Sequence, residues 1–169
     1  MLDLFKAHAE PMARLIDFED KLMRGPSPFG DAEREIISSF VSGLNACSYC
    51  YRSHSFLAEE LGVAEALVPA LLEDIDSAPI EARLKPVLHY VRKLTLTPAR
   101  LVEADAAAVY DAGWDSEALF HAIAITAYFN FCNRITAGAG LDVTDATLRD
   151  GAKQLATEGY KMSYGGLEP

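Results

Sequence analysis

Two cysteines, Cys47 and Cys50, stand as C-x-x-C, with His54 four residues after the second and Glu35 twelve before the first. A thiol pair, an imidazole and a carboxylate this close together are the parts of a redox site or a metal site, unless the cysteines are only buried hydrophobes. If 47–61 is helical, residues three and four apart share a face, and Cys47, Cys50 and His54 fall on it. Cα atoms three apart on a helix lie roughly 5 Å from each other, inside the disulfide span of about 4.4–6.8 Å. The sulfurs can then join and part with little backbone movement.

The surroundings suit a reactive thiol. Gly43-Leu44-Asn45 reads as a helix break, and Asn45 is expected to cap the next helix. Cys47 then lies in a first turn, where unpaired N–H groups favour a thiolate. His54 is the natural proton partner of Cys50, and Glu35 the carboxylate that fixes the imidazole tautomer. Lowering a thiol pKa from about 8.5 to roughly 6.5 takes ~2.7 kcal/mol and makes the thiolate the majority form at neutral pH. Glu33 is the fallback carboxylate. Zinc is the competing reading: Cys47, Cys50 and His54 are acceptable ligands, and Cys132, His121 or Glu35 would have to complete four. Against it, no second C-x-x-C or paired ligand set follows. Cys132 itself, among apolar neighbours, reads as core.

The composite E-x11-C-x-x-C-x3-H resembles the alkylhydroperoxidase-D-like branch of the carboxymuconolactone decarboxylase family. The string Asn45-Ala46-Cys47-Ser48-Tyr49-Cys50-x3-His54 is most similar to the sub-group called peroxidase-related enzymes. Leu94-Thr95-Leu96-Thr97-Pro98, Ala112-Gly113-Trp114 and Asn130-Phe131-Cys132-Asn133-Arg134 extend the likeness over residues 30–141. The resemblance implies a small all-α homo-oligomer, a trimer or hexamer, with a reversible dithiol that reduces a hydroperoxide or another disulfide and is regenerated by an external thiol reductant. It implies that Cys50 attacks, Cys47 resolves, and His54 with Glu35 manage the proton. Tyr49 stands where the best-studied members carry histidine, and its own bulk reads slightly better as packing than as site lining. Decarboxylation, the chemistry that names the wider family, does not rely on a cysteine pair. A metal-binding or redox-sensing module with little turnover is the alternative to an antioxidant peroxidase.

The elements that must position these groups are helices, since no strand alternation is visible and all-α follows. The 169 residues suit one domain, with 1–30 an N-terminal helical extension, 31–141 the core, and 142–169 a last helix and tail. Apolar spacing predicts helices over 2–24 (bent at Pro11), 31–43 capped by Asp31, 47–61 closed by Gly62, and 64–74. Further helices are expected over 80–96 (kinked at Pro86), 103–112, 117–137 capped by Ser116, and 145–157 capped by Thr144 or Asp145. Helix 117–137 is apolar almost all round, so it is expected to be buried in the monomer or between subunits. On it Arg134 is expected to tie helices together through a buried partner. Asn-x-Cys occurs at 45–47 and again at 130–132, which one reading takes as an old helix-pair duplication. The tail from Gly159 onward reads as loosely ordered.

Half the residues are hydrophobic, against disorder, and the formal net charge of −10 argues against nucleic acid or an anionic membrane as partner. No basic leader precedes an apolar run, and the densest apolar stretch is too short to span a bilayer, so a cytoplasmic protein is expected. No phosphate-binding glycine loop, nucleotide fingerprint or flavin signature is present, and no cofactor is expected.

Overall fold

A computed structural model describes residues 8–163. Among them are eight α-helices, one 3₁₀ turn and no strand. The helices are α1 (Ala9–Arg24), α2 (Asp31–Leu44), α3 (Ser48–Glu60), α4 (Leu67–Glu73), α5 (Leu84–Leu96), α6 (Glu103–Asp111), α7 (Ser116–Gly138) and α8 (Asp145–Ser163). The part of the expected first helix over residues 2–7 lies outside the described residues. None of the described helices is long and apolar enough to cross a membrane.

Helix α2 is the centre. The expectation was an amphipathic helix with Ile36, Ile37, Phe40 and Val41 inward; instead every residue from Arg34 to Ser42 is buried. It is surrounded by α3, α7, α5, α4 and α1. So much polarity is tolerated inside because nearly every polar atom finds a partner, Arg34 Nε being an exception. Ser38 donates to the Glu35 carbonyl and Ser42 to the Ser38 carbonyl, and the Ser39 and Ser55 hydroxyls share a hydrogen bond. Arg34 donates to the carbonyls of Leu22 and Gly25 and to Asp31. Around this helix Phe40, Leu57, Leu71, Leu88, Ile125 and Phe129 form the apolar core. Truncating one of its phenylalanines to alanine removes about 3–5 kcal/mol.

The caps differ from the expectations by one residue, for local reasons. Gly30, not Asp31, is the N-cap of α2, and Glu33 accepts from its N–H at 2.8 Å. Asp115 rather than Ser116 caps α7, accepting from the Ala118 N–H. Pro11 and Pro86 fall in the first turns of α1 and α5, where the missing N–H costs nothing, so neither bends its helix. Thr144 does precede α8 and accepts from the Thr147 N–H. Gly62 and Gly113 close their helices at φ of 91° and 89°.

The α2–α3 connection places the thiols. Gly43 does not break α2; it is helical, and a Cβ there would lie 2.6 Å from Leu72 Cδ1, so glycine lets α4 approach. The chain turns at Asn45-Ala46. The Cys47 N–H bonds the Ser42 carbonyl and the Ala46 N–H that of Gly43, while Ala46 takes φ 53°. This is the bond pattern of a Schellman stop with alanine where glycine is usual. Asn45 therefore ends α2 instead of starting α3, and Cys47 is the N-cap of α3 rather than part of its first turn.

Helix α7 has 23 residues and runs ~35 Å past the core. Its inner face carries Ala118, Ala122, Ile125 and Phe129, and its outer face leaves Phe120 64% and Phe131 44% exposed. Arg134 is exposed and bonds its own helix at Asn130, not a neighbouring one.

Candidate active site

Cys47 and Cys50 are both free thiols and both buried. The helix that carries them faces α7, whose Thr136 hydroxyl lies 3.2 Å from the Cys47 sulfur and 3.3 Å from the Cys50 sulfur. One hydroxyl therefore touches both reactive atoms. Below the sulfurs runs a polar seam between α2 and α7. Asn45 donates to Asn130 and Asn133 at 3.1 and 2.9 Å, and Asn133 donates to Ser42 at 3.0 Å. The two asparagines of the repeated Asn-x-Cys thus meet, while Cys132 stays half-buried against the core, where burial pushes its thiol up to about 12.

His54 lies one turn beyond Cys50 on the same helix and is buried. Its Nδ1 is 2.8 Å from Glu35 Oε2, and its ring stands edge-on to Phe129 with centroids 4.5 Å apart. Glu35 is completely buried. Burial alone would raise its pKa, but the hydrogen bond and charge of His54 and the charge of Arg24 outweigh that and hold it below the usual carboxylate range. An ionised Glu35 accepts the Nδ1–H, which fixes the tautomer and leaves Nε2 as the proton acceptor. Glu33, occupied at the helix start, takes no part.

Two residues outside the sequence motif, Arg24 and Tyr160, donate to this carboxylate. Arg24, from the end of α1, donates to Glu35 Oε1 at 2.7 Å. Tyr160, fully buried, donates its hydroxyl to the same oxygen at 2.8 Å and lies 3.4 Å from His54 Nδ1. Burial, then the charges of Glu35 and Glu19, keep that phenol far above its ordinary pKa, so it remains a donor. Tyr160 is delivered by a break in α8: Gly159 takes φ 74°, ψ 178°, and the Tyr160 N–H bonds Asp20 at 3.0 Å. The expectation of a loosely ordered tail from Gly159 is corrected for these two residues. Glu19, a second carboxylate of α1, is half-buried and accepts from Tyr128 at 3.1 Å. Burial raises it to about 7, against the opposing effects of His54 and Tyr128.

A cleft of about 930 Å³ opens on the pair between the start of α3 and the turn from α7 to α8. Cys47, Tyr49, Arg52, Thr136, Leu141 and Asp145 are among its walls. Tyr49 therefore lines the site rather than packing away from it. Arg52 straps α3 to the far wall through Asp142 and Asp145 at 2.7 and 2.6 Å. Cys47 faces the cleft and Cys50 stands behind it. The two thiols ionise unequally. The hydrogen bond from Cys50, followed by that of Thr136 after the opposing cost of burial, pulls Cys47 down to about 5. The same hydrogen bond between the two thiol groups, and burial, push Cys50 well up. These contacts favour negative charge on Cys47, which stands at the N-cap of α3.

The zinc set does not assemble: no group of three or more His, Cys, Asp or Glu side chains among the described residues is placed to hold a metal. Of the missed residues, Thr136 had a signal. Asn130, Asn133 and Thr136 recur every three positions as a polar stripe on an apolar helix. Arg24 and Tyr160 had none beyond a glycine before the tyrosine.

No family profile and no curated protein matches this sequence. Among solved structures, the chain is similar to an uncharacterized peroxidase-related protein from Silicibacter sp. TM1040, with 26% identity and a TM-score of 0.76 over 83% of this chain and 73% of that one. It shares its fold with an uncharacterized peroxidase-related protein from Ralstonia eutropha JMP134, described as an alkylhydroperoxidase AhpD core, at 23% identity and a TM-score of 0.76 over 85% and 75% of the two chains. The chain therefore shares its all-helical fold with both of these structures.

Proposed function

We propose that this AhpD-like chain is a thiol–disulfide oxidoreductase that reduces hydroperoxides through Cys47 and Cys50 and is regenerated by an external thiol. The observation that carries the reading is the pairing of two free, buried cysteines, Cys47 on the wall of a cleft and Cys50 one turn along the same helix, with a buried Glu35–His54 couple. The order of attack is the reverse of the one the resemblance implied. Cys47 meets the oxidant, because it is the sulfur on the cleft wall and at the helix N-cap.

In the first step the Cys47 thiolate attacks the terminal peroxide oxygen. An S–O bond forms, the O–O bond breaks, and the alkoxide leaves as alcohol with a proton from solvent. Cys50 then passes its proton to His54 Nε2 and attacks the Cys47 sulfur. The S–S bond forms, the S–O bond breaks, and hydroxide leaves as water with the proton from His54. Glu35 holds the imidazole in the tautomer that allows both transfers. Two thiols are oxidised, one hydroperoxide is reduced, and an external dithiol returns the pair to its starting state.

Thiol titration before and after one equivalent of organic hydroperoxide tests this. Wild type loses two thiols, Cys50→Ser accumulates a dimedone-trappable sulfenic acid on Cys47, and Cys47→Ser is inert at neutral pH. A sulfenic acid on Cys50 in Cys47→Ser restores the family order. Retention of both thiols in wild type refutes the peroxidase reading altogether. The apolar outer face of α7, with Phe120, Phe131 and Ile135 exposed, supports self-association of the chain as a trimer or hexamer, which light scattering checks.

A further inference from the structure

The structure assigns a catalytic role to Thr136: its single hydroxyl proton is a swivelling donor, held by backbone carbonyls while the sulfurs are neutral and turned onto the cleft-facing sulfur when that atom carries charge. The inference deepens the proposed dithiol chemistry and rests on it. Its basis is four acceptors competing for one proton. Thr136 Oγ1 lies 3.0 Å from the Cys132 carbonyl and 3.1 Å from that of Asn133, the usual back-bonds of a helical threonine. It also lies 3.2 Å from the Cys47 sulfur and 3.3 Å from that of Cys50. A threonine hydroxyl has one donor and two lone pairs. With both thiols protonated, an S–H donates to Oγ1 and the hydroxyl serves a carbonyl. With one thiolate, the strongest acceptor within reach is the sulfur, and the hydroxyl turns to it. With a disulfide, neither sulfur is a good acceptor, and the proton returns to its own helix.

The position suits the role. Thr136 comes from α7, opposite the helix that bears the sulfurs, and its side chain is part of the cleft wall. It is the group on that wall that an incoming hydroperoxide and the thiolate share. The lowered pKa of Cys47 names Thr136 among its causes. The other charged or titratable groups around the pair are Tyr49 and His54 on α3, Glu35 on α2 behind His54, Arg52 with Asp142 and Asp145 across the cleft, and Cys132 on α7. A change confined to the Thr136 hydroxyl leaves all of them in place.

The test compares Thr136→Val, which keeps the shape and removes the proton, with Thr136→Ser, which keeps the proton. Iodoacetamide alkylation against pH reads the thiolate directly, and equilibration with glutathione buffers reads the dithiol–disulfide constant; neither needs a hydroperoxide. In Thr136→Val the reactive thiol titrates about one pH unit higher, so its alkylation at pH 5 falls roughly fivefold while the plateau at pH 8 is unchanged. Loss of thiolate stabilisation also shifts the dithiol constant about tenfold toward the disulfide, ~30 mV. Thr136→Ser stays at wild type in both. If Thr136→Val does not fold, Thr136→Ala against Thr136→Ser makes the same comparison. An unchanged alkylation profile in the hydroxyl-free variant overturns the assignment, as does a uniform loss at every pH, which marks a packing role. Peroxide turnover measured beside it separates the two claims. Turnover absent with the alkylation shift present sinks only the peroxidase reading.

Discussion

Tyr160→Phe isolates one bond in the most demanding part of the molecule. The substitution keeps the ring, which stacks near His54 and lies under the Arg24 guanidinium at 5.0 Å. It removes only the hydroxyl that donates to Glu35 Oε1 at 2.8 Å. A hydrogen bond to a charged acceptor contributes about 1.5–3 kcal/mol. Glu35 keeps Arg24 on the same oxygen and His54 on the other, so it is not orphaned. The expected cost is therefore in the middle of that range, about 2 kcal/mol, or ~4–8 °C in Tm for a domain of this size.

The pH dependence makes the prediction specific. Glu35 has its folded pKa below the unfolded value, so its ionised form contributes stability above about pH 4.3, and the contribution is lost as pH falls through the folded pKa. Without the tyrosine donor the folded pKa moves back toward the unfolded one. The difference between variant and wild type is then largest near neutrality and shrinks as the carboxylate protonates. The acid unfolding midpoint of the variant lies at higher pH. Urea unfolding at a series of pH values from 3 to 7 measures both. A variant within about 0.5 kcal/mol of wild type at pH 7, the size of an ordinary surface change, refutes the reasoning. So does a loss that is the same at every pH.

Cys50→Ala removes the hydrogen bond that most strongly lowers Cys47, so the alkylation midpoint of Cys47 rises from about 5 toward the ordinary thiol range; a midpoint still near 5 shows that the helix end and Thr136 suffice. Ala46→Gly relieves the left-handed backbone at φ 53° and holds or raises stability by up to about 1 kcal/mol, whereas the same change inside a helix costs about 0.5–1 kcal/mol. A chemical-denaturation loss beyond that cost contradicts the turn assignment. Gly159→Ala forces a side chain into a glycine-only region, with its Cβ 3.1 Å from Asp20 Oδ1, and costs about 2 kcal/mol. It also reproduces the acid shift of Tyr160→Phe because it unseats the same hydroxyl, and wild-type acid unfolding in this variant refutes that link.

What was legible in the sequence is what helical spacing encodes. Cys47, Cys50 and His54 share a face because three and four residues make one turn, and Glu35 reaches His54 because α2 and α3 are joined by a tight hairpin. Helix α7, apolar almost all round, was expected to be buried in the monomer or between subunits; within the chain one side is buried and the other exposed, a division that was not legible because Phe120 and Phe129 are equally apolar in sequence. Helix ends were misplaced by a residue where a side chain that looks like a cap does another job: Asp31 holds Arg34, and Asn45 reaches across to α7. Arg24 and Tyr160 were illegible because they act through tertiary contact, the tyrosine across 125 residues of chain.

That division has a physical consequence for how the site works. The motif carries the reacting atoms and the largest single influences favouring charge, His54 on Glu35 and Cys50 on Cys47; the surrounding helices supply the rest. Glu35 sits where an unpaired carboxylate would be prohibitively costly, and it remains ionised because α3 supplies His54 and α1 supplies Arg24, while the Tyr160 hydroxyl from α8 donates to the oxygen that Arg24 holds. The sulfurs likewise depend on α7 for the Thr136 hydroxyl. A hairpin of α2 and α3 alone would keep C-x-x-C, His54 and Glu35 yet expose all of them to water, where the carboxylate is solvated and the thiols return toward the ordinary value near 8.5. The polarisation of the site is thus a property of five packed helices. It vanishes with tertiary structure even where the local helix survives, so thiol reactivity at acid pH is the more sensitive report of native packing than helix content.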